Sequence, residues 1–248
     1  MRAVAAALLA AALISSFLSP SFGPDAASVP TFIGFLLGLS IVLVAFELPP
    51  IVMRLRATGE VGRLRALPWT LALAAAFVLI SRIAGLQPGY LYGLVLSVTF
   101  TREATHGQEA RETAVGMACT LAVALAAWLL LDSLRSGLVT AGDALGTVFQ
   151  TAMAAVVVSG LEAAAFGMLP VRFMPGRTVY EWSRPAWAIL FGLGVFAFVQ
   201  VLVGPSSGYL AELEPSAWLA ALGVFAAFGA FSLAFWAWFR FRPAARAG

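Results

Sequence analysis

The chain has 248 residues, of which 61% are hydrophobic and only 11% are Asp, Glu, Lys or Arg. A soluble globular protein carries about 25% charged residues, so this chain has too little charge to cover a surface that faces water. The composition excludes a soluble enzyme, a disordered chain and a disulfide scaffold, and it predicts an all-α, polytopic helical membrane protein.

Eight apolar segments follow one another along a single membrane domain, residues 1–248. They cover 3–18, 31–48, 68–83, 86–100, 113–131, 145–164, 186–204 and 217–239. A helix needs about 20 apolar residues to cross a bilayer, so the fourth segment is short. Residues 1–23 fit either a first span or a signal peptide, because Arg2 precedes an apolar run without a clean small-x-small cleavage site. The prediction is therefore seven or eight spans.

Arginine sets the predicted orientation, since cytoplasmic loops of membrane proteins are enriched in basic residues. Residues 51–66, read as a loop after Pro49 and Pro50, carry four arginines, and the stretches 165–185 and 240–246 carry three each. We expect all three on the cytoplasmic side, which places the C-terminus in the cytoplasm. An even number of crossings must then separate 51–66 from 165–185, so segment 86–100 is predicted to cross, or else to enter as an unusual half-span with its neighbours rearranged.

The use of arginine for all fifteen basic residues, with abundant Ala and Gly, is typical of a GC-rich bacterial genome. The expected location is therefore a bacterial inner membrane. Arginines in short loops beside apolar segments indicate orientation rather than nucleic-acid binding.

The residues needed for intramembrane proteolysis are missing or separated. A zinc enzyme needs His-Glu-x-x-His, whereas His106 is the only histidine. A serine enzyme needs Ser and His together, but Ser159 lies in an apolar segment and His106 in the polar stretch 101–112. The aspartates all lie at or near span ends. We therefore predict no enzyme activity, no cofactor and no metal site.

His106, Glu109 and Glu112 recur every three residues, which would bring them near one helix face and could hold a metal. The favoured interpretation is an exposed, mixed-charge turn in which Arg102 and Arg111 balance the acids.

Glu162 is the main ionisable residue inside a span, where such groups suggest function by default. Thr151, Ala155 and Ser159 fall in the same sector of the helix, at 100° per residue. Two interpretations follow: a proton or ion site, and the favoured one, a hydrogen-bonding Glu on a small, polar packing face. Glu47, at the end of segment 31–48, is expected to reach water.

The pair Gly34 and Gly38 has the GxxxG spacing that lets helices approach closely. Packing within the chain is favoured over dimerisation.

The segment Phe166-Gly167-Met168-Leu169-Pro170, followed by VRFMPGRTVYEWSRPAWAIL, resembles the signature of the bacterial FGLLP motif-containing membrane proteins. The earlier QPGYLYGLVLSV is similar to a PGYLYGL-type segment of that family. The resemblance covers about residues 80–204, and Met168 replaces one Leu of the motif. It implies a polytopic membrane protein of unassigned activity.

The stretch FGMLPVRFMPGR is also similar in shape to the Asn-x-x-Pro…Asp-Gly segment of site-2-type intramembrane metalloproteases. Gly167 stands where that family has its Asn, and Pro175 stands where it has its metal-binding Asp. Because His-Glu-x-x-His is absent as well, the resemblance implies a non-catalytic relative.

The same stretch can be interpreted from its residues alone. Gly167 and Pro170 predict a helix end, and Pro175 with Gly176 predicts a second turn. The segment is expected to lie along the cytoplasmic interface, with arginines facing anionic headgroups: Arg172, Arg177 and Arg184.

Three functions remain open. The favoured one is a structural or partner-binding membrane component, with the lipid bilayer and another membrane protein as partners and no nucleic acid. The alternatives are an ion- or proton-coupled transporter that uses Glu162 and a degenerate protease-like protein. A water-filled cavity at Glu162 would favour transport, and a dry, packed Glu162 would favour the structural role.

The predicted topology can be tested by single cysteines in a Cys119→Ala background. Cysteines at positions 138 and 208 should react with an impermeant thiol reagent in intact cells. Cysteines at 60 and 178 should react only after the membrane is opened. Labelling at 178 from outside would contradict the even number of crossings.

Overall fold

A computed structural model describes residues 2–19, 21–66, 68–83, 96–135, 144–172 and 174–203. The chain forms seven α-helices and two short strands within these ranges: α1 Arg2–Ser16, α2 Val29–Thr58, β1 Arg63–Ala66, α3 Pro68–Ile83, β2 Leu96–Thr99, α4 His106–Arg135, α5 Ala144–Gly167, α6 Pro175–Trp182 and α7 Arg184–Phe198. A 3-10 turn, Ala26–Ser28, precedes α2, and a π-helical turn, Val199–Val203, extends α7. The predicted span 217–239, the C-terminal tail and residues 86–95 lie outside the described residues.

Four helical stretches are long and apolar enough to cross a membrane: Ala26–Thr58, His106–Leu131, Ala144–Gly167 and Arg184–Leu202. They correspond to the second, fifth, sixth and seventh predicted segments. The helices α1 and α3 match two further segments but are shorter. The fold agrees with the predicted all-α membrane protein.

The helix α2 passes through Pro49 and Pro50 and ends at Thr58, so the prediction of a loop from residue 51 is wrong. A proline inside a helix lacks the N–H that would bond the carbonyl four residues earlier. That carbonyl, on Phe46, faces Gly116 of α4 so closely that an added Cβ would lie 2.6 Å from its oxygen. The neighbouring helix thus covers the interrupted turn, which is how membrane helices tolerate proline.

The helix α4 begins at His106, seven residues before the predicted segment 113–131. Thr105 starts it, because its hydroxyl accepts a hydrogen bond from the Gln108 N–H and its carbonyl accepts one from the Glu109 N–H. The polar stretch that the sequence suggested to be a loop is therefore the first two turns of a helix.

The strands β1 and β2 pair antiparallel, with Arg63 opposite Thr99 and Ala66 opposite Leu96. We call this pair the β-ribbon. The prediction that segment 86–100 is a span is therefore wrong for its last residues. Residues 96–99 have β-branched and small side chains that suit a half-buried strand, and Leu96 is 1% exposed.

The bundle core is formed by α2, α4 and α5, which approach one another through glycines. A Cβ added at Gly38 of α2 would lie 2.7 Å from both the carbonyl oxygen of Ala152 and the Cβ of Ala155 on α5. One added at Gly160 of α5 would lie 2.7 Å from the Cβ of Ala124 on α4. The GxxxG pair of α2 is thus used for packing within the chain. Small residues that let backbones approach provide the van der Waals contact that holds membrane helices together.

The end of α2, the start of α4 and the α5–α6–α7 junction lie together at one end of the bundle. Arg54 contacts Glu112 there, and His106 lies beside Glu181. We call this region, residues 54–66, 96–112 and 168–187, the polar end. Arginines of both basic stretches, 51–66 and 165–185, lie in this region.

The close approach at Gly38 can be tested against Gly192, a glycine of α7 whose added Cβ would meet nothing within 4 Å. Gly38→Ala should lower the thermal unfolding temperature in detergent, since overpacking costs about 1–3 kcal/mol. Gly192→Ala should keep or raise it, because Ala stabilises a helix by roughly 0.5–1 kcal/mol relative to Gly. Equal shifts in the two variants would contradict the packing.

Candidate functional site: the polar end of the bundle

A buried ion pair joins α2 to α4 at the polar end. Arg54 is 6% exposed and Glu112 is 5% exposed. The Arg54 Nε donates to the Glu112 Oε1 at 2.7 Å, and the Arg54 Nη1 donates to the carbonyl oxygen of Arg102 at 2.9 Å. Burial of a charge is costly unless a partner and hydrogen bonds compensate it, and both are present here.

Two further side chains complete the surroundings of this pair. The Gln108 Nε2 donates to the Glu112 Oε1 at 3.0 Å. The ring of Phe100 lies under the Arg54 guanidinium, 4.2 Å from its carbon to the ring centroid, which is a cation–π contact. The guanidinium is therefore held by a carboxylate, a carbonyl and an aromatic face at once.

Glu60 links the end of α2 to the segment after β2. Its Oε1 accepts hydrogen bonds from the backbone N–H groups of Thr101 and Arg102, and its Oε2 lies 3.9 Å from the Arg54 Nη1. The pKa of Glu60 is held below its usual range. The largest cause is the hydrogen bond from the Arg102 N–H, and the Thr101 N–H and the charge of Arg54 contribute less. Ionised Glu60 therefore stabilises the folded protein fully at any pH above the ordinary carboxyl pKa. This contribution is lost as the pH falls through the lowered pKa of Glu60.

The predicted exposed turn around His106, Glu109 and Glu112 is wrong for Glu112, which is buried and paired with Arg54. At 100° per residue, side chains six positions apart are separated by about 120° around the helix axis. His106 and Glu112 therefore point in different directions. His106 is 55% exposed in its side chain, with its Nε2 3.8 Å from Glu181. Among the residues that the structure describes, no three His, Cys, Asp or Glu side chains are grouped to hold a metal.

The motif Phe166–Pro170 forms the junction of α5, α6 and α7. Met168 is fully buried, and its carbonyl oxygen accepts a hydrogen bond from the Trp187 Nε1 at 2.7 Å. Gly176 packs directly on the Met168 backbone, where a Cβ would have no room. Phe166 stacks edge-on against Phe198 of α7, with the ring centroids 5.3 Å apart. The motif residues therefore connect three helices.

The remaining motif residues mark the ends of helices. The helix α5 ends at Gly167, and Leu169 makes a turn by donating its N–H to the Phe166 carbonyl. Pro170 follows and is exposed. Pro175 lies in the first turn of α6, where a missing N–H is tolerated.

Two of the three arginines predicted to face headgroups have partners within the chain. The Arg177 Nε donates to the Glu181 Oε1 at 2.6 Å, and the Arg184 guanidinium lies 5.4 Å from the Tyr180 ring centroid. Arg172 is exposed.

Glu162 and Ser159 lie in the packed part of α5, away from the polar end. Glu162 is 3% exposed, and the Ser159 Oγ is buried without a hydrogen-bond partner among the described residues. The adjacent Gly160 contacts Thr120 and Ala124 of α4. Since His106 lies 14 residues before Thr120, about 21 Å along the helix axis, Ser159 and His106 are too far apart to form a dyad.

The prediction that Glu47 reaches water is wrong, since Glu47 is 8% exposed. Its carboxylate accepts a hydrogen bond from the backbone N–H of Val98 in β2. The cause is the continuation of α2 past Pro50, which leaves Glu47 inside the helix and beneath the β-ribbon.

The Arg54–Glu112 pair is the feature that sequence reasoning missed. Two signals for it are present in the sequence. Glu47 and Arg54 are seven residues apart, two helical turns, so they share one face of a continued helix. Thr105 and Gln108 have the capping-box spacing that marks a helix start before Glu112.

The ion pair can be tested against the neighbouring Arg56, which is exposed. Arg54→Ala leaves Glu112 buried without its partner, so the free energy of unfolding should fall by about 3–5 kcal/mol. Arg56→Ala should change it by less than about 0.5 kcal/mol.

The double variant Arg54→Ala/Glu112→Ala should be less destabilised than the sum of the two single variants, because a coupled pair is non-additive. Thermal or denaturant unfolding in one detergent gives the free energy of unfolding of the wild type, the two single variants and the double variant. Additive losses would show that the two groups do not interact.

Comparison with known proteins finds no matching family model, no matching curated protein and no matching solved structure.

Proposed function

We propose that this protein is a non-catalytic, multi-spanning structural or partner-binding component of a bacterial inner membrane. The observation that carries the proposal is the surroundings of Glu162. Leu161, directly before it, and Ala164, two residues after it, are 0% exposed, and Glu162 itself is 3% exposed. A transported ion needs a wetted path to its carboxylate, whereas a packed carboxylate stabilises the contact between helices.

Two cavities among the described residues lie away from Glu162. One of about 370 Å³ is lined by residues 22–32 before and at the start of α2. Another of about 240 Å³ is lined by Leu131, Gln150, Thr151 and Ala154. Neither is lined by Glu162, which supports the structural role over transport.

In this proposal the polar end faces the cytoplasm, and so does the C-terminus. The support is the concentration of arginine at the polar end, since cytoplasmic flanks of membrane helices are enriched in basic residues. The lipid bilayer and a further membrane protein are the proposed partners.

An ion- or proton-coupled transporter is the second candidate. It is favoured by one observation, the buried hydroxyl of Ser159 three residues before Glu162, since a hydroxyl and a carboxylate on one helix face can bind a cation. The third candidate, a degenerate protease-like protein, rests on the sequence resemblance alone.

Substitution of Glu162 separates the first two candidates. Glu162→Gln keeps the shape and hydrogen-bonding capacity, so the unfolding temperature should stay near that of the wild type. Glu162→Ala should lose about 1–3 kcal/mol, because its buried neighbours lose a partner. Glu109→Ala, at an exposed position of α4, is the matched control and should be neutral.

Proteoliposomes supply the functional measurement for the same variants. Wild-type protein should pass no more protons or sodium ions than protein-free liposomes under a pH or sodium gradient. A flux that Glu162→Gln abolishes while the variant remains folded would establish the transporter instead.

A further inference from the structure

The outer face of the β-ribbon carries basic and hydroxyl side chains. Arg63 is paired with Thr99 and Arg65 with Ser97. Residues opposite each other in an antiparallel pair point to the same side, and residues two apart on a strand do so as well. These four side chains therefore share one face, which we call the basic face. The opposite face carries Leu96, which is buried against the bundle.

The arginines of the basic face are not neutralised within the described part of the chain. Arg63 and Arg65 are exposed, and their guanidinium groups make no hydrogen bond or ion pair there. The nearby acid, Glu60, is occupied by the backbone N–H groups of Thr101 and Arg102. Arg56, in the last turn of α2, adds a further exposed positive charge.

The β-ribbon is held at the level where membrane-length helices end. The strand β1 follows α2 by four residues and precedes the apolar helix α3. Exposed apolar side chains lie close to the arginines along the chain: Leu55 is 48% exposed, Leu64 46% and Val61 69%. Basic groups among exposed apolar side chains suit the boundary between headgroups and acyl chains.

We propose that the basic face of the β-ribbon binds the headgroups of anionic phospholipids at the membrane surface. Guanidinium groups bind phosphate through two parallel hydrogen bonds, and the Ser97 hydroxyl lies on the same face to donate another. An acidic protein segment would match the charge equally well. The lipid is favoured because β1 lies between α2, which is long enough to cross a membrane, and the apolar helix α3, so the arginines of β1 stand where a membrane-length helix ends.

This assignment differs from the sequence-based prediction for Arg172, Arg177 and Arg184. Arg177 and Arg184 are engaged with Glu181 and Tyr180, whereas Arg63 and Arg65 have no such partner among the residues that the structure describes. The inference is independent of the role of Glu162, because binding to the basic face is measured separately from flux.

The test uses the full-length protein in a neutral detergent, titrated with short-chain phosphatidylglycerol while the thermal unfolding temperature is recorded. The lipid should raise this temperature, because a ligand that binds only the folded state stabilises it. Short-chain phosphatidylcholine should not. Arg63→Gln/Arg65→Gln should weaken the apparent affinity for phosphatidylglycerol about 25-fold, from about fivefold for each arginine.

The matched control is Arg177→Gln/Arg184→Gln, which removes the same charge from partnered positions and should stay within about threefold of the wild type. The unfolding temperature without lipid checks that each variant is folded. If the double variant does not fold, the titration is made with the single variants Arg63→Gln and Arg65→Gln. Each should weaken binding about fivefold.

Three results would overturn the proposal. Equal weakening in both double variants would show that only the total charge matters. A rise in unfolding temperature with inorganic phosphate alone, at the same concentration, would show a site for free anions. A rise with hexaglutamate but not with phosphatidylglycerol would assign the basic face to an acidic protein segment.

Discussion

The guanidinium of Arg54 lies inside the protein with the Glu112 carboxylate hydrogen-bonded to it and the Glu60 carboxylate 3.9 Å away, and the arrangement of the polar end depends on these contacts. Glu112 can reach Arg54 only if α4 already begins at His106, and Arg54 faces α4 only if α2 continues past its two prolines. The same guanidinium bonds the Arg102 carbonyl, which positions the segment that leaves β2. The Arg54–Glu112 pair therefore requires the extension of both helices and links them to the segment after the β-ribbon.

The sequence was sufficient to predict the membrane-length helices, because a long run of apolar residues directly indicates a segment that avoids water. It was insufficient at their ends. Residues 51–58 follow two prolines and carry two arginines, and residues 106–112 are polar and include a glycine. Both patterns usually indicate loops, yet both segments are helical. Their charged side chains find partners on another helix, a tertiary effect that local composition does not contain. Glu47 and Glu112 were both assigned to water for this reason, and both are buried.

The predicted even number of crossings and the β-ribbon depend on different properties of the chain. The number of crossings was predicted from the distribution of arginines, and residues 84–95, which it concerns, lie outside the described residues. The pairing of β1 with β2 depends on side-chain size and hydrogen bonding, which a count of arginines does not contain. The motif Phe166–Pro170 is a similar case: its turn was readable from Gly and Pro, but the bond from Trp187 to Met168 joins positions 19 apart.

The separation of Arg54 from Glu112, 58 positions along the chain, has a consequence for biosynthesis. At about 5–20 residues per second, roughly 3–12 s pass between the synthesis of the arginine and that of its partner. During this interval Arg54 has not yet met Glu112, and it lies near the end of α2, where headgroups and water can solvate it. The ion pair therefore forms late, as α4 arrives, so docking of α4 withdraws a charge from the interface and completes the insertion of α2.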